Sequence, residues 1–277
     1  MSVSTFHLIY AGVIGLLVGS FLNVVILRLP PYLMWNWKRD AHQFLGSSWA
    51  FEDAQPPGIA VKRSFCPKCH HQLSWWENIP LFSFIFLKGK CRSCASQISW
   101  QYPLVEAVMG ALAVLSVYHF GWNLNGLLAA SLAAVLIVCA GIDFRTQLLP
   151  DIIVLPMVWI GLLVALTSHG FVSLPQSVIG AVVGYMTLWS VFWLFKIITG
   201  KEGMGYGDFK LLAMLGAFFG PLALVSILLL ACVVGSVVGV ALLKIKKESQ
   251  PFAFGPYLAL GGLVYLFAGN WMTGFIL

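Results

Sequence analysis

The sequence predicts an all-α polytopic membrane protein of about eight transmembrane helices, interrupted by one polar insertion on the cytosolic side. Three observations carry that expectation. Of the 277 residues, 60% are hydrophobic and only 9% charged, with a mean hydropathy of +0.89. An ordinary soluble domain carries about 25% charged residues. The apolar residues form long unbroken runs, unlike the short alternating segments of a membrane barrel. The basic residues, finally, cluster between those runs in a way that fixes their parity. A soluble enzyme, a disordered chain and a small disulfide-stapled domain are excluded on these grounds.

In order along the chain, spans are expected near 6–29, 104–121, 124–142, 152–168, 177–198, 209–220, 222–243 and 256–276. A crossing needs roughly 20 apolar residues. The sixth segment has 12 residues, about 18 Å of helix, so it must be thin, sunk in a water-filled recess, or re-entrant. With eight crossings all 16 Lys and Arg fall on one side of the membrane. The positive-inside rule makes that side the cytosol, with both termini outside. The first apolar run lacks a basic n-region and a small-residue cleavage site, so it is expected to be a reverse-oriented anchor rather than a cleaved signal. The net charge of +6 then reflects topology and contact with anionic lipid. No basic stripe with an aromatic platform points to nucleic acid.

Small residues at helical spacing, Gly15/Gly19, Gly180/Gly184 and Gly235/Gly239, are expected to let helix backbones approach closely. Asn23, four residues after Gly19, shares that inward face. Between the first two spans lies a polar insertion, 30–103, too long and too aromatic to be a simple connector. It carries two CxxC pairs, Cys66/Cys69 and Cys91/Cys94, separated by 21 residues. Two thiol pairs on tight turns supply four soft ligands for tetrahedral Zn2+, a zinc-ribbon-like arrangement. In the cytosol a stable disulfide is disfavoured. A dithiol redox pair and metal-free knuckles are the alternatives. Cys139 and Cys232 read as buried packing residues.

Acids in apolar surroundings are costly and are functional candidates by default. Glu106 lies in the first turn after Pro103, where a helix dipole favours it, so a structural and a functional role stand level. Asp151 reads as the N-cap of the following helix. Asp143 ends an apolar run at a helix C-terminus, where the dipole opposes its charge. Asp208 follows Gly203-Met204-Gly205-Tyr206-Gly207, glycines that let another backbone approach the carboxylate. Two facing carboxylates resist joint ionisation, so one stays protonated while the other acts as base, and such a pair activates water against a peptide carbonyl.

Taken together, Gly205-Tyr206-Gly207-Asp208, Gly19-Ser20-Phe21-Leu22-Asn23, Glu77-Asn78-Ile79-Pro80-Leu81, Tyr102-Pro103-Leu104-Val105-Glu106, Leu149-Pro150-Asp151 and the paired CxxC make a combination. This combination resembles the bacterial type IV prepilin peptidase family, whose GxGD motif is shared more loosely with presenilin-type intramembrane aspartic proteases. The resemblance implies a bacterial inner-membrane enzyme with active sites facing the cytosol. It implies cleavage of the basic leader from type IV prepilins and type II secretion pseudopilins, with Asp143 and Asp208 as the catalytic pair. It also implies N-methylation of the new terminus from S-adenosyl-L-methionine, with Glu77 and Gly89 at the methyl-transfer region. On this reading 1–29 is the first span, 30–103 the insertion bearing methyl transfer, and 104–277 the protease bundle. The rival is an ion-coupled transporter with protons on the same aspartates.

Overall fold

A computed structural model of the protein describes residues 3–46, 54–60, 63–246 and 253–276. Lys247 and the stretch around Ser249 fall outside them. The described residues are helical throughout apart from two isolated β-bridges and the turns and loops that join the elements. The main helices are α1 (Thr5–Phe44), α2 (Phe82–Phe86), α3 (Gln101–Phe120), α4 (Leu124–Thr146), α5 (Asp151–Ala165), α6 (Leu174–Thr199), α7 (Tyr206–Lys246) and α8 (Gly255–Ile276). A short 3-10 helix, Trp75–Asn78, precedes α2. Each expected span corresponds to a helical segment. Among the described residues five stretches are long and apolar enough to cross a membrane, namely α1, α3, α4, α6 and the arm of α7 from Pro221 to Lys244. The chain is a multi-pass membrane protein. Leu17 on α1, Leu163 on α5 and Val182 on α6 are large apolar side chains left exposed, as lipid-facing residues are.

The chain divides into two compact units, Met1–Ala134 and Val135–Leu277. In the first, α1 packs along α3. A β-carbon on Gly15 would come within 2.9 Å of the Gly110 Cα, and one on Gly19 within 2.7 Å of the Glu106 Cα. These glycines are the close-approach points of the crossing, as their spacing predicts. Asn23, fully buried, donates to the carbonyls of Gly19 (3.3 Å) and Tyr102 (3.1 Å). α1 continues through Pro30 and Pro31 to Phe44. Its 40 residues amount to about 60 Å, twice the hydrocarbon thickness. The polar insertion therefore begins as a helical extension of the span.

In the second unit α7 is central. Gly220 (φ +78°), followed by Pro221, breaks it into two arms. The arm before the break is packed by α5, α6 and α8. From Leu211 to Gly220 every residue is buried. That resolves the short sixth segment: it is covered by protein, so its roughly 18 Å never has to match the lipid thickness. Gly180 and Gly184 of α6 abut Gly216 and Leu212 of this arm, and the Ser177 hydroxyl donates to the Ala217 carbonyl at 2.5 Å. Cys139 is buried as expected. Cys232 is exposed, because the second arm of α7 turns that face away from the other helices of the unit.

Candidate active site and metal centre

Asp143 stands in the last turn of α4, and its carbonyl accepts the Gln147 N–H at 2.8 Å. Asp208 stands in the first turn of α7. Both are deeply buried, 5% and 6% exposed, and each lies within electrostatic reach of the other. Their placement follows from the local sequence. Gly207 passes so close to α5's leading segment that a β-carbon there would sit 2.7 Å from the Leu149 Cβ. Only glycine lets the GxGD turn seat against Leu149-Pro150.

The dipole of α4 opposes the charge on Asp143, and the compensation comes from another element. Gly255 opens α8, and a β-carbon on it would lie 2.6 Å from Asp143 Oδ2. The positive end of α8 thus faces the carboxylate that the C-terminus of α4 disfavours. Asp143 Oδ2 is buried against the first residue of α8, and no side chain pairs with it. Sequence reasoning missed Gly255. The available signal was a glycine-proline step starting an apolar run, Phe254-Gly255-Pro256.

Asp151 is not the N-cap expected of it. Pro150 occupies that position, and Asp151 is the first helical residue of α5. Both of its carboxylate oxygens accept from Lys210 Nζ, at 2.7 and 2.8 Å. Lys210, two residues past Asp208, was also missed; only the tertiary fold brings it to Asp151. Glu106 is not in a first turn either, because α3 begins at Gln101: it is the sixth residue of that helix, buried, and accepts the Leu81 N–H at 2.9 Å. It tethers the insertion to the membrane helix.

The insertion brings its four cysteines together. Their Sγ atoms all lie within 4.8 Å of one another, with Cys66–Cys94 at 3.8 Å and Cys69–Cys91 at 3.9 Å. Sulfurs about 2.3 Å from a tetrahedral zinc stand about 3.8 Å apart. The two knuckles share one backbone design. Cys66 N–H donates to His71 O, and Cys91 N–H to Ser96 O. His70 (φ +57°) and Ala95 (φ +56°) take the same left-handed position, and the bridges Phe65–Gln72 and Lys90–Gln97 close each turn. The Cys69 amide, against desolvation, holds the Cys66 thiol down at about 6. For Cys69 the His71 amide acts downward but is outweighed by desolvation and the other thiols, which push it up to about 11. Such crowding is relieved when a dication takes all four as thiolates. The cluster can hold zinc.

Glu77 and Gly89 both have structural duties. Glu77 is buried in the 3-10 helix, where it accepts the Ser74 N–H at 2.6 Å and lies 3.6 Å from His71 Nε2. Burial acts to raise its pKa, but Ser74 and the His71 charge outweigh that and hold it below the usual carboxylate range. Gly89 has φ +67°, donates to Phe84 O, accepts from Ile98 N–H, and would set a β-carbon 3.2 Å from the Phe84 ring. With the carboxylate engaged and the glycine face filled by Phe84, these two residues offer no open cradle for S-adenosylmethionine.

Two family models cover most of the chain. The bacterial peptidase A24 N-terminal domain matches residues 13–120 and the type IV leader peptidase family matches 130–240. The chain belongs to the type IV leader peptidase family. It is 48% identical over 262 residues to a prepilin leader peptidase/N-methyltransferase of Xanthomonas campestris pv. campestris, covering 94% of this chain and 91% of that protein. A protein of the same name from Stutzerimonas stutzeri is 48% identical over 270 residues, with 95% and 91% covered. One from Pseudomonas aeruginosa is 46% identical over 266 residues, with 94% and 90% covered. No solved structure matches the chain. Membership in the leader peptidase family removes the ion-coupled transporter alternative. It also places the two matched regions on the two units: the N-terminal model falls inside the unit holding the four-cysteine insertion, and nearly all of the leader peptidase model inside the unit holding both aspartates.

Proposed function

We propose that Asp143 and Asp208 are the catalytic pair with which this chain cleaves the leader peptide of type IV prepilins and type II secretion pseudopilins. The chain is a prepilin leader peptidase and N-methyltransferase, and the observation that supports the dyad is a pair of buried carboxylates in electrostatic reach of each other. One carboxylate, ionised, takes a proton from a water as the oxygen attacks the scissile carbonyl carbon. The other, protonated, donates to the carbonyl oxygen. Collapse of the tetrahedral intermediate passes a proton to the leaving nitrogen, freeing the leader's new carboxylate and the mature protein's amine. Gly255 and Leu149-Gly207 hold the two acids in place.

The methyl transfer belongs, on this reading, to the insertion 30–103. S-adenosylmethionine, which Glu77 and Gly89 do not themselves cradle, would supply the methyl group from its sulfonium. Glu77 and Gly89 serve that reaction by fixing the loop around the four-thiol centre, with zinc held by Cys66, Cys69, Cys91 and Cys94. A basic leader stays in the cytosol while its apolar helix inserts, so both sites face the cytosol from the inner membrane.

Cleavage of a synthetic prepilin by the purified protein in detergent, with no ion gradient, tests the peptidase reading; no cleavage by correctly folded protein overturns it. Orientation has its own test. Single cysteines at Ser173 and at Lys201 are expected to label from opposite sides of the membrane, with Lys201 on the cytosolic side. Labelling of both from one side overturns the parity argument.

A further inference from the structure

Three large side chains of the insertion lie bare on one face of α2. Phe82, Ile85 and Phe86 are 63%, 73% and 69% exposed, and the Phe82 and Phe86 rings stack at 6.0 Å. The i, i+3, i+4 spacing makes them one continuous apolar surface. The remaining aromatic, Phe84, turns the other way onto Trp100, at 4.9 Å between rings. A cluster of this kind in contact with water marks an interaction site.

The height of α2 relative to the bilayer can be read from α3. That helix has 20 residues, about 30 Å, so its whole length is needed to cross the hydrocarbon. Glu106, the sixth residue of α3, therefore lies below the membrane boundary, and it holds the Leu81 N–H at 2.9 Å. Leu81 immediately precedes α2 and takes a left-handed backbone (φ +59°), which turns the chain there. Trp100, exposed at the N-terminal cap of α3, sits where membrane proteins place interfacial aromatics. Directly after α2 come Lys88 and Lys90, both exposed.

We propose that α2 is an interfacial wedge: Phe82, Ile85 and Phe86 lie in the bilayer at the headgroup–acyl boundary, and Lys88 and Lys90 contact anionic phospholipid headgroups. Apolar burial beside basic residues is how short amphipathic segments lie on a charged membrane. The wedge, the Glu106 tether and α3 together keep the two cysteine knuckles against the membrane surface. The inference needs only the membrane reading and is independent of the aspartate dyad.

The test replaces Phe86 with the photo-crosslinking analogue p-benzoylphenylalanine, with Leu17 on α1 replaced likewise as a lipid-facing control. Purified protein goes into nanodiscs of phosphatidylglycerol and phosphatidylethanolamine, and adducts are identified by mass spectrometry. Zinc content and prepilin cleavage check the fold. The expected result is a lipid adduct at Phe86 in yield comparable to Leu17, with phosphatidylglycerol enriched over its share of the bilayer. Failure of Phe86 to capture lipid while Leu17 does so overturns the proposal. So does loss of the lipid adduct in favour of a prepilin adduct when prepilin is added, which would make the face a substrate dock. Equal capture of the two lipids overturns the role given to Lys88 and Lys90.

Discussion

Gly255 stands against Asp143 so closely that any β-carbon on it would lie 2.6 Å from Oδ2 of that carboxylate. The contact joins the first residue of α8 to the last turn of α4, and it offsets the unfavourable end of one helix dipole with the favourable end of another. It also sets the steric margin of the candidate site.

Gly255→Ala is accordingly expected to displace the Asp143 carboxylate while leaving the insertion untouched. Misplacement of a reacting group by about 1 Å costs roughly 10²-fold in rate. Leader cleavage should fall by that order, in kcat more than in KM. Methylation of an already cleaved pilin should proceed as in the parent. Unchanged cleavage by the variant would remove Gly255 from the site.

Asp143→Asn and Asp208→Asn should each abolish cleavage with expression and metal content intact, because neither general acid–base step can be completed by one carboxylate. Asp151→Asn serves as the internal comparison. Its partner Lys210 is reached at a half-exposed surface, where an ion pair contributes at most about 1 kcal/mol. Substantial cleavage should remain. Full loss of activity in folded Asp151→Asn protein would move the dyad from Asp143 to its neighbour.

Protein purified without chelator is expected to hold one zinc per chain by elemental analysis. The double variant Cys66→Ser/Cys91→Ser takes one ligand from each knuckle and should bind none. Its insertion should then become protease-sensitive, since structural zinc supplies much of the folding free energy of so small a module. Zinc-free wild-type protein with a protease-resistant insertion would refute the metal assignment.

For Gly89 the expected outcome is separation of the two chemistries. Gly89→Leu must strain a left-handed backbone and push on the Phe84 ring 3.2 Å away. Both effects stay within the insertion, whereas Asp143 and Asp208 belong to the other compact unit. Mass spectrometry of processed pilin should show cleaved, unmethylated product. Fully methylated product would withdraw Gly89 from the methyl-transfer region.

Much of this was legible along the chain because the signals are local. A CxxC pair turns back on itself within a few residues, so spacing alone foretold the two knuckles that bring four Sγ atoms within 4.8 Å. Gly15 and Gly19 announced a close helix crossing by their four-residue interval, and α1 meets α3 there. Asp143 stood out because a carboxylate at the end of an apolar helix has no local reason to be there. Asp151 was misread for the complementary reason. Its position before a helix suggested a cap, while its actual partner, Lys210, lies 59 residues away.

By itself, then, the sequence determined the membrane class, the helical segments, the thiol cluster and the two aspartates, Asp143 and Asp208, that the fold buries in one unit. Each of these depends on composition or on short-range spacing, which periodic backbone geometry translates directly into structure. Only the tertiary structure decided what each polar group meets: Gly255 at Asp143, Leu81 at Glu106, Lys210 at Asp151, and a sheath of helices around the short arm of α7. Those pairings join segments far apart in the chain. Their distances follow from how whole helices pack, and close packing depends on every side chain at the crossing rather than on any motif.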